Sequence, residues 1–311
     1  MAGPRPRHRP AGSVGGVSSA PSTQAGIGTD PFARVAALPG VDEAVMAARS
    51  AVDALLRHRV LRRRSAEVTA EASLRSARAS AALEGHGVDL ETLRTRLTEA
   101  ADGDAAPAAD GDLAATLGAV RLYAELGSLT TAWERAPRQA LARMHTLLGR
   151  GIVPDGALGR PRAAMAAADP LELGAAPGPA ELSARLDGLV GLLVERTSAP
   201  AIVVSAIVHG ELLALRPFGA LDGMIARAAA RLVLVGRGLD PKAVTATDVG
   251  HLEAGPGDGA AGAEVTAYRA AAAGYAHGGA EGLRGWLLHC ARAVELGARE
   301  SLAVCEAIGR A

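Results

Sequence analysis

Residues 201–227 read AIVVSAIVHGELLALRPFGALDGMIAR. The first fifteen are apolar nearly all round and leave no polar face for solvent. A helix of that kind belongs inside a core, so 201–215 is predicted to be a central buried helix. Pro217 ends it, because proline has no amide hydrogen for the helical ladder and pushes the residue before it out of the α region. The break RPFGALDG follows, and a second helix is predicted from Met224 to Gly236, with Arg227 in its first turn.

Around this pair the pattern stays helical. Of the 311 residues 49% are apolar but only 2% aromatic, so the core must be built from Ala, Leu and Val. Ala and Leu favour helix, and the expected fold class is all-α. Upstream, helices are expected at 181–196, 137–149 and 113–133, and from Asp89, which supplies an N-cap ahead of Leu90, Leu93 and Leu97. Another at 62–83 stops at Glu84-Gly85-His86-Gly87, and a short pair within 30–58 is broken at Pro39-Gly40. Downstream, helices fill 264–309. Three stretches break the pattern: the acidic 101–112, the Gly/Ala-rich 254–263 and the Gly- and Pro-rich 150–180. The last is long for a connection inside a domain, and such loops tend to carry function. Residues 1–29 hold Arg5, Arg7 and Arg9 with no acid before Asp30, and read as a disordered tail.

The formal net charge is zero, and Lys242 is the only lysine. Neither a specific nucleic-acid partner nor an anionic membrane partner is expected. No apolar run of about 18 residues free of charge exists, so no membrane span is expected. The first 30 residues lack a signal-peptide h-region, and the expected location is cytoplasmic. Cys290 and Cys305 lie fifteen residues apart in one helical pattern. That is roughly 22 Å along a helix, too far for a disulfide. They read as reduced, buried small hydrophobes, and their spacing to histidines offers no zinc motif.

Aligned without gaps, RPFGALDGMIAR resembles the Fic motif HPFx[DE]GNGRxxR and keeps Pro217, Phe218, Gly223 and Arg227. His209 stands seven residues before Arg216, as a histidine does in the family's preceding helix. SAALEG at 80–85 is similar to the family's inhibitory pattern [ST]xxxE[GN] through Ser80, Glu84 and Gly85. MHTLLG at 144–149, then Gly159 and Arg162, resembles the LHxxLL helix and the GxxR that begins the flap, while Tyr268 and Trp286 look like the closing helices. The resemblance covers about 60–290. It implies a Fido-type helical bundle with a short β-hairpin flap over 30–311, its motif core at about 140–240.

It also implies a protein adenylyltransferase chemistry, AMP moving from ATP to a protein hydroxyl with Mg²⁺ bound. A base accepts the hydroxyl proton, and histidine suits that near neutral pH. Its position here is Arg216, a permanent cation that cannot take the role. The acidic metal-ligand position is Ala220, with no ligand oxygen. The Gly-Asn-Gly anion cradle reads Leu221-Asp222-Gly223, and the phosphate arginine is Met224. A register slid by two residues would align Asp222-Gly223 with the acid–Gly pair, gaining one carboxylate and losing the place of Arg227; the ungapped register is preferred. No residue is assigned as catalytic. Arg216, Asp222, Gly223 and Arg227 are the candidate nucleotide-binding positions, and Ser80, Glu84 and Phe218 the inhibitory or structural ones.

Arg227 and Glu84, both retained, are expected to form a fixed ion pair between helices. Arg216 is expected to salt-bridge to Glu211 or Asp222, His209 to be a hydrogen-bonded core residue, Ser80 to bond locally, and Phe218 to anchor the loop. His145 is given no role. The expected function is a Fido-domain protein impaired in AMP transfer and used for binding or regulation, with a protein partner at the 150–180 flap. The alternative is an active nucleotidyl- or phosphotransferase with an altered loop. ATP and Mg²⁺ rest on the resemblance alone.

Overall fold

The computed structural model describes Gly3 and residues 30–102, 110–254 and 263–310. The expected tail at 1–29 (Gly3 apart), the middle of the acidic stretch and most of the Gly/Ala-rich stretch lie outside these residues. The chain forms α1 (Pro31–Ala36), α2 (Val41–Leu56), α3 (Ser65–Leu83), α4 (Leu90–Asp102), α5 (Gly111–Arg135) and α6 (Pro137–Gly149). After an irregular segment come α7 (Pro179–Val194), α8 (Ala201–Leu215), α9 (Asp222–Gly236), α10 (Thr247–Glu253), α11 (Ala263–His277) and α12 (Ala280–Arg310). Most expected helices sit within two or three residues of their sequence boundaries. The helix expected from 62 begins at Ser65, after a 3₁₀ turn at Arg59–Arg62. The sequence did not signal α10.

The helices α8 and α9 form the centre. In α9 every residue from Asp222 to Leu234 is buried. The pair packs on α5 and α6 on one side and on α11 and α12 on the other. The long α12 buries Trp286, Cys290, Val294, Ala298, Ser301 and Cys305 along one stripe and so braces α2, α8 and α10 together. Its contact with α10 is close: a Cβ on Gly250 would lie 1.8 Å from the Ala293 carbonyl oxygen. Only glycine permits that approach. Cys290 and Cys305 are both buried on α12 and unpaired, as expected.

No strand occurs among the described residues, so the expected β-hairpin flap is replaced by irregular chain. Pro154, Pro161, Pro170 and Pro177 fall within 150–178 and remove donors that a ladder would need. The segment's amides turn to the 216–219 loop: Arg162 N–H donates to the Pro217 carbonyl and Ala168 N–H to that of Gly219, both at 2.8 Å. No helix is long and apolar enough to cross a membrane among the described residues.

Candidate functional site

The loop between α8 and α9 is built from unusual backbone. Arg216 closes α8 in the left-handed region at φ 45°, Gly219 follows at 82°, and Leu221 opens α9 at 61°. For a leucine that conformation costs roughly 1 kcal/mol or more. The Asp222 carboxylate closes the turn by accepting the Phe218 amide at 2.9 Å. The turn is thus held by a side chain where glycines would have made it easy.

Arg162 straps the irregular segment onto this loop. Its Nε donates to the Arg216 carbonyl at 2.9 Å and a terminal nitrogen to the Leu215 carbonyl at 3.1 Å, while the same group reaches Pro177 and Ala164 carbonyls. These are the unpaired acceptors at the end of α8, which a cation suits. His145, to which the sequence reading gave no role, is wholly buried and links the same parts. Its Nδ1 accepts the Gly159 amide at 3.0 Å, and its ring stacks on Phe218 at 4.3 Å. Burial holds its imidazole down at about 4, so it is neutral at pH 7.

Arg216 turns to neither expected partner. It pairs with Asp169 at 3.0 Å and donates to the Gly174 carbonyl at 2.6 Å. Asp169 in turn accepts the amides of Leu173 and Gly174 at 2.8 and 2.9 Å. Glu211 is taken by Arg185, bidentately at 2.9 and 3.0 Å, and Asp222 is spent on the turn. Sequence reasoning missed Asp169 because it lies in irregular chain 47 residues upstream of Arg216.

Arg227 and Glu84 do meet, at 3.1 Å, with 1% and 4% of their side chains exposed. The guanidinium also donates to the Ser80 hydroxyl, the Ser80 carbonyl and the Tyr268 hydroxyl, each at 2.8 Å. Asp248 stands 3.7 Å away and accepts the Tyr123 hydroxyl at 2.5 Å. Burial alone would lower the Arg227 pKa; Tyr268, Glu84, Tyr123 and Asp248 outweigh it and raise it. Ser80 is therefore not locally bonded: it joins α3 to α9 and, through Tyr123, to α5.

Glu84 fills the cradle at the start of α9. A Cβ on Gly223 would lie 1.8 Å from the Glu84 Oε1, so glycine is what lets the carboxylate sit against the helix end. Beside it opens a cleft of about 470 Å³, whose ionisable lining includes Glu84, Asp169, Asp222, His86 and Arg216. Two of its carboxylates are already paired, Glu84 with Arg227 and Asp169 with Arg216. Burial pushes the Asp222 carboxyl up to about 7, against the Phe218 and Gly219 amides and with Glu84 adding to the rise. Its Oδ2 has no partner. Ala220, at the position where the resemblance implies an acidic metal ligand, brings no side-chain oxygen to the cleft.

His209 is a buried, hydrogen-bonded core residue, its Nε2 at 2.8 Å from the Tyr268 hydroxyl. It also meets His251 and Cys290: the nearest nitrogen and sulfur atoms of the three lie within 4.8 Å of one another. The sequence spacing excluded a zinc motif and missed this group, because its members come from three helices far apart in the chain.

No protein-family model matches the sequence, and no curated protein matches it either. Solved structures do. A Fic family protein from Desulfovibrio desulfuricans G20 matches with a TM-score of 0.63 at 20% identity, over 84% of this chain and 74% of that one. Fic-1 (residues 134–508) from C. elegans matches with a TM-score of 0.59 at 16% identity, over 86% of this chain and 73% of that one. With its central α8–α9 pair and the loop between them, the chain has the helical fold of Fic family proteins.

Proposed function

We propose that this chain uses the Fic-type fold as a binding or regulatory scaffold and has lost AMP transfer. The observation that carries this is Arg216. At the position of the family's base stands a buried cation, paired with Asp169 and unable to accept a proton. The Glu84 carboxylate against the start of α9 supports the same reading, since it occupies the place a phosphate would take. The irregular segment 150–178 is the proposed surface for a protein partner; it exposes Met165 (66%) and Ile152 (37%).

Calorimetric titration with ATP and Mg²⁺ tests the loss of the nucleotide site. No heat is expected from the wild type or from Glu84→Gly. Tight binding in Glu84→Gly alone would mean an inhibited enzyme and overturn the scaffold reading.

A second reading rests on Asp222. A buried carboxyl with a pKa near 7 and one unpartnered oxygen on a cleft is poised as a general acid or base. Under that reading the chain is a transferase with altered chemistry. Nucleotide turnover that follows a single ionisation near pH 7 and vanishes in Asp222→Asn would favour it over the scaffold.

A further inference from the structure

We propose that His209 on α8, His251 on α10 and Cys290 on α12 form a buried, three-coordinate site for one copper(I) ion. The three residues are 1%, 5% and 5% exposed, and their donor atoms lie within 4.8 Å of one another. An ion at the centre of a triangle of that edge stands roughly 2.8 Å from each corner; inward movement of about 0.5 Å by the sulfur and about 0.8 Å by the nitrogens reaches the 2.3 and 2.0 Å of metal–sulfur and metal–nitrogen bonds. The space between α8, α9, α10 and α12 holds a cavity of about 10 Å³ lined by Ser205, His209, Arg227, His251 and Cys290. That is room for about one small occupant.

Both imidazoles are braced. The Nδ1 of His251 lies 3.1 Å from the Nε2 of His289, and the Nε2 of His209 lies 2.8 Å from the Tyr268 hydroxyl. One ring nitrogen of each is thereby held by a neighbour, the outer-shell pattern that fixes ring orientation around metals. The Tyr268 oxygen accepts from Arg227 and has a second lone pair for an N–H of His209, the tautomer that leaves the other nitrogen free. His289, itself only partly buried, stacks on the His251 ring and so adds to its support.

Charge and softness choose the ion. Nearby, Arg227 and Arg231 are matched by Glu84 and Asp248. On binding, the Cys290 S–H bond breaks, its proton goes to solvent, and a copper–sulfur bond forms; no electron is transferred. Copper(I), a thiolate and two neutral imidazoles sum to zero. Zinc(II) would leave one buried charge uncompensated, which the interior disfavours. A thiolate with two imidazoles and no carboxylate is also a soft donor set.

Anaerobic titration of the reduced full-length chain with copper(I) held by a chromophoric chelator should show one equivalent taken up. X-ray absorption fine structure of the loaded protein should show one sulfur and two imidazole nitrogens. Cys290→Ser should weaken uptake roughly a hundredfold or more, beyond the 10–100-fold typical of outer-shell changes. Cys305→Ser, on the same helix but roughly 22 Å away, should leave uptake unchanged. If Cys290→Ser does not fold, the wild-type fine structure decides alone. No copper retained against the chelator, a coordination shell with no sulfur or two, or tighter uptake of zinc(II) than of copper(I) overturns the proposal.

Discussion

Two arginines flank the same loop, and the molecule holds them differently. Arg227 lies inside the core, donating to Ser80, Glu84 and Tyr268 with Asp248 alongside, so that it joins α9 to α3 and α11. Arg216 is nearly as buried, but its carboxylate partner Asp169 sits on irregular chain with a quarter of its side chain exposed, and its Nε has no acceptor. The first arrangement is part of the frame; the second is a latch on a segment tied down mainly by Arg162. The resemblance predicted a kept half and a changed half of the loop, and the physical difference between the halves is whether the partners come from helices or from loops.

The largest expected effect is on the frame. Arg227→Met leaves Glu84 buried without its cation and Asp248 with Arg231 alone, at 3.9 Å, and should cost about 3–5 kcal/mol, a fall in melting temperature on the order of 10 °C. A melting temperature within a degree or two of wild type would break the contrast at its root. Next comes pH. The folded pKa of Asp222, about 7, lies above its unfolded value of roughly 3.9, so the folded state binds the extra proton. The stabilisation is present below about pH 4 and is lost as pH rises through 7. Between pH 5 and 8 this group should remove roughly 2–4 kcal/mol of stability. Urea unfolding at the two pH values measures it, and Asp222→Asn, which keeps an acceptor for the Phe218 amide, should flatten the slope.

A third change sharpens the boundary between the two halves. Gly223→Ala places a methyl on the Glu84 carboxylate and should cost about 1–3 kcal/mol. The same change on a Glu84→Gly background should cost much less, and additive effects in the double-mutant cycle would show that the two residues do not touch. The smallest effect is at the latch. Asp169→Ala should cost only about 1 kcal/mol globally yet speed limited proteolysis within 163–175. An unchanged cleavage rate there would mean that the Asp169–Arg216 pair does not hold the segment.

The sequence was legible where packing is local and periodic. A helix apolar all round announced α8, Pro217 announced its end, and the spacing of Glu84 and Arg227 from recognisable neighbours placed both in one site. It was silent where partners are brought together only by folding. Asp169 lies in a stretch whose prolines and glycines give no period. The helix α10 spans two turns, contains Gly250, and owes its stability to lying against α12, so neither Asp248 nor His251 carried a signal. The hydroxyl of Ser80 points into a core that no local rule describes. The β-hairpin flap was implied by resemblance alone, and two of the segment's amides, those of Arg162 and Ala168, go to the loop carbonyls instead.

Leu221 holds a conformation that suits glycine. A glycine there would relieve the loop of its strain without changing its course. Arg216→His, Ala220→Glu, Leu221→Gly, Asp222→Asn and Met224→Arg together would write the full Fic motif into this loop. Such a retrofit would show how far the frame remains convertible, and whether the distance between scaffold and catalyst in this fold is a matter of five side chains.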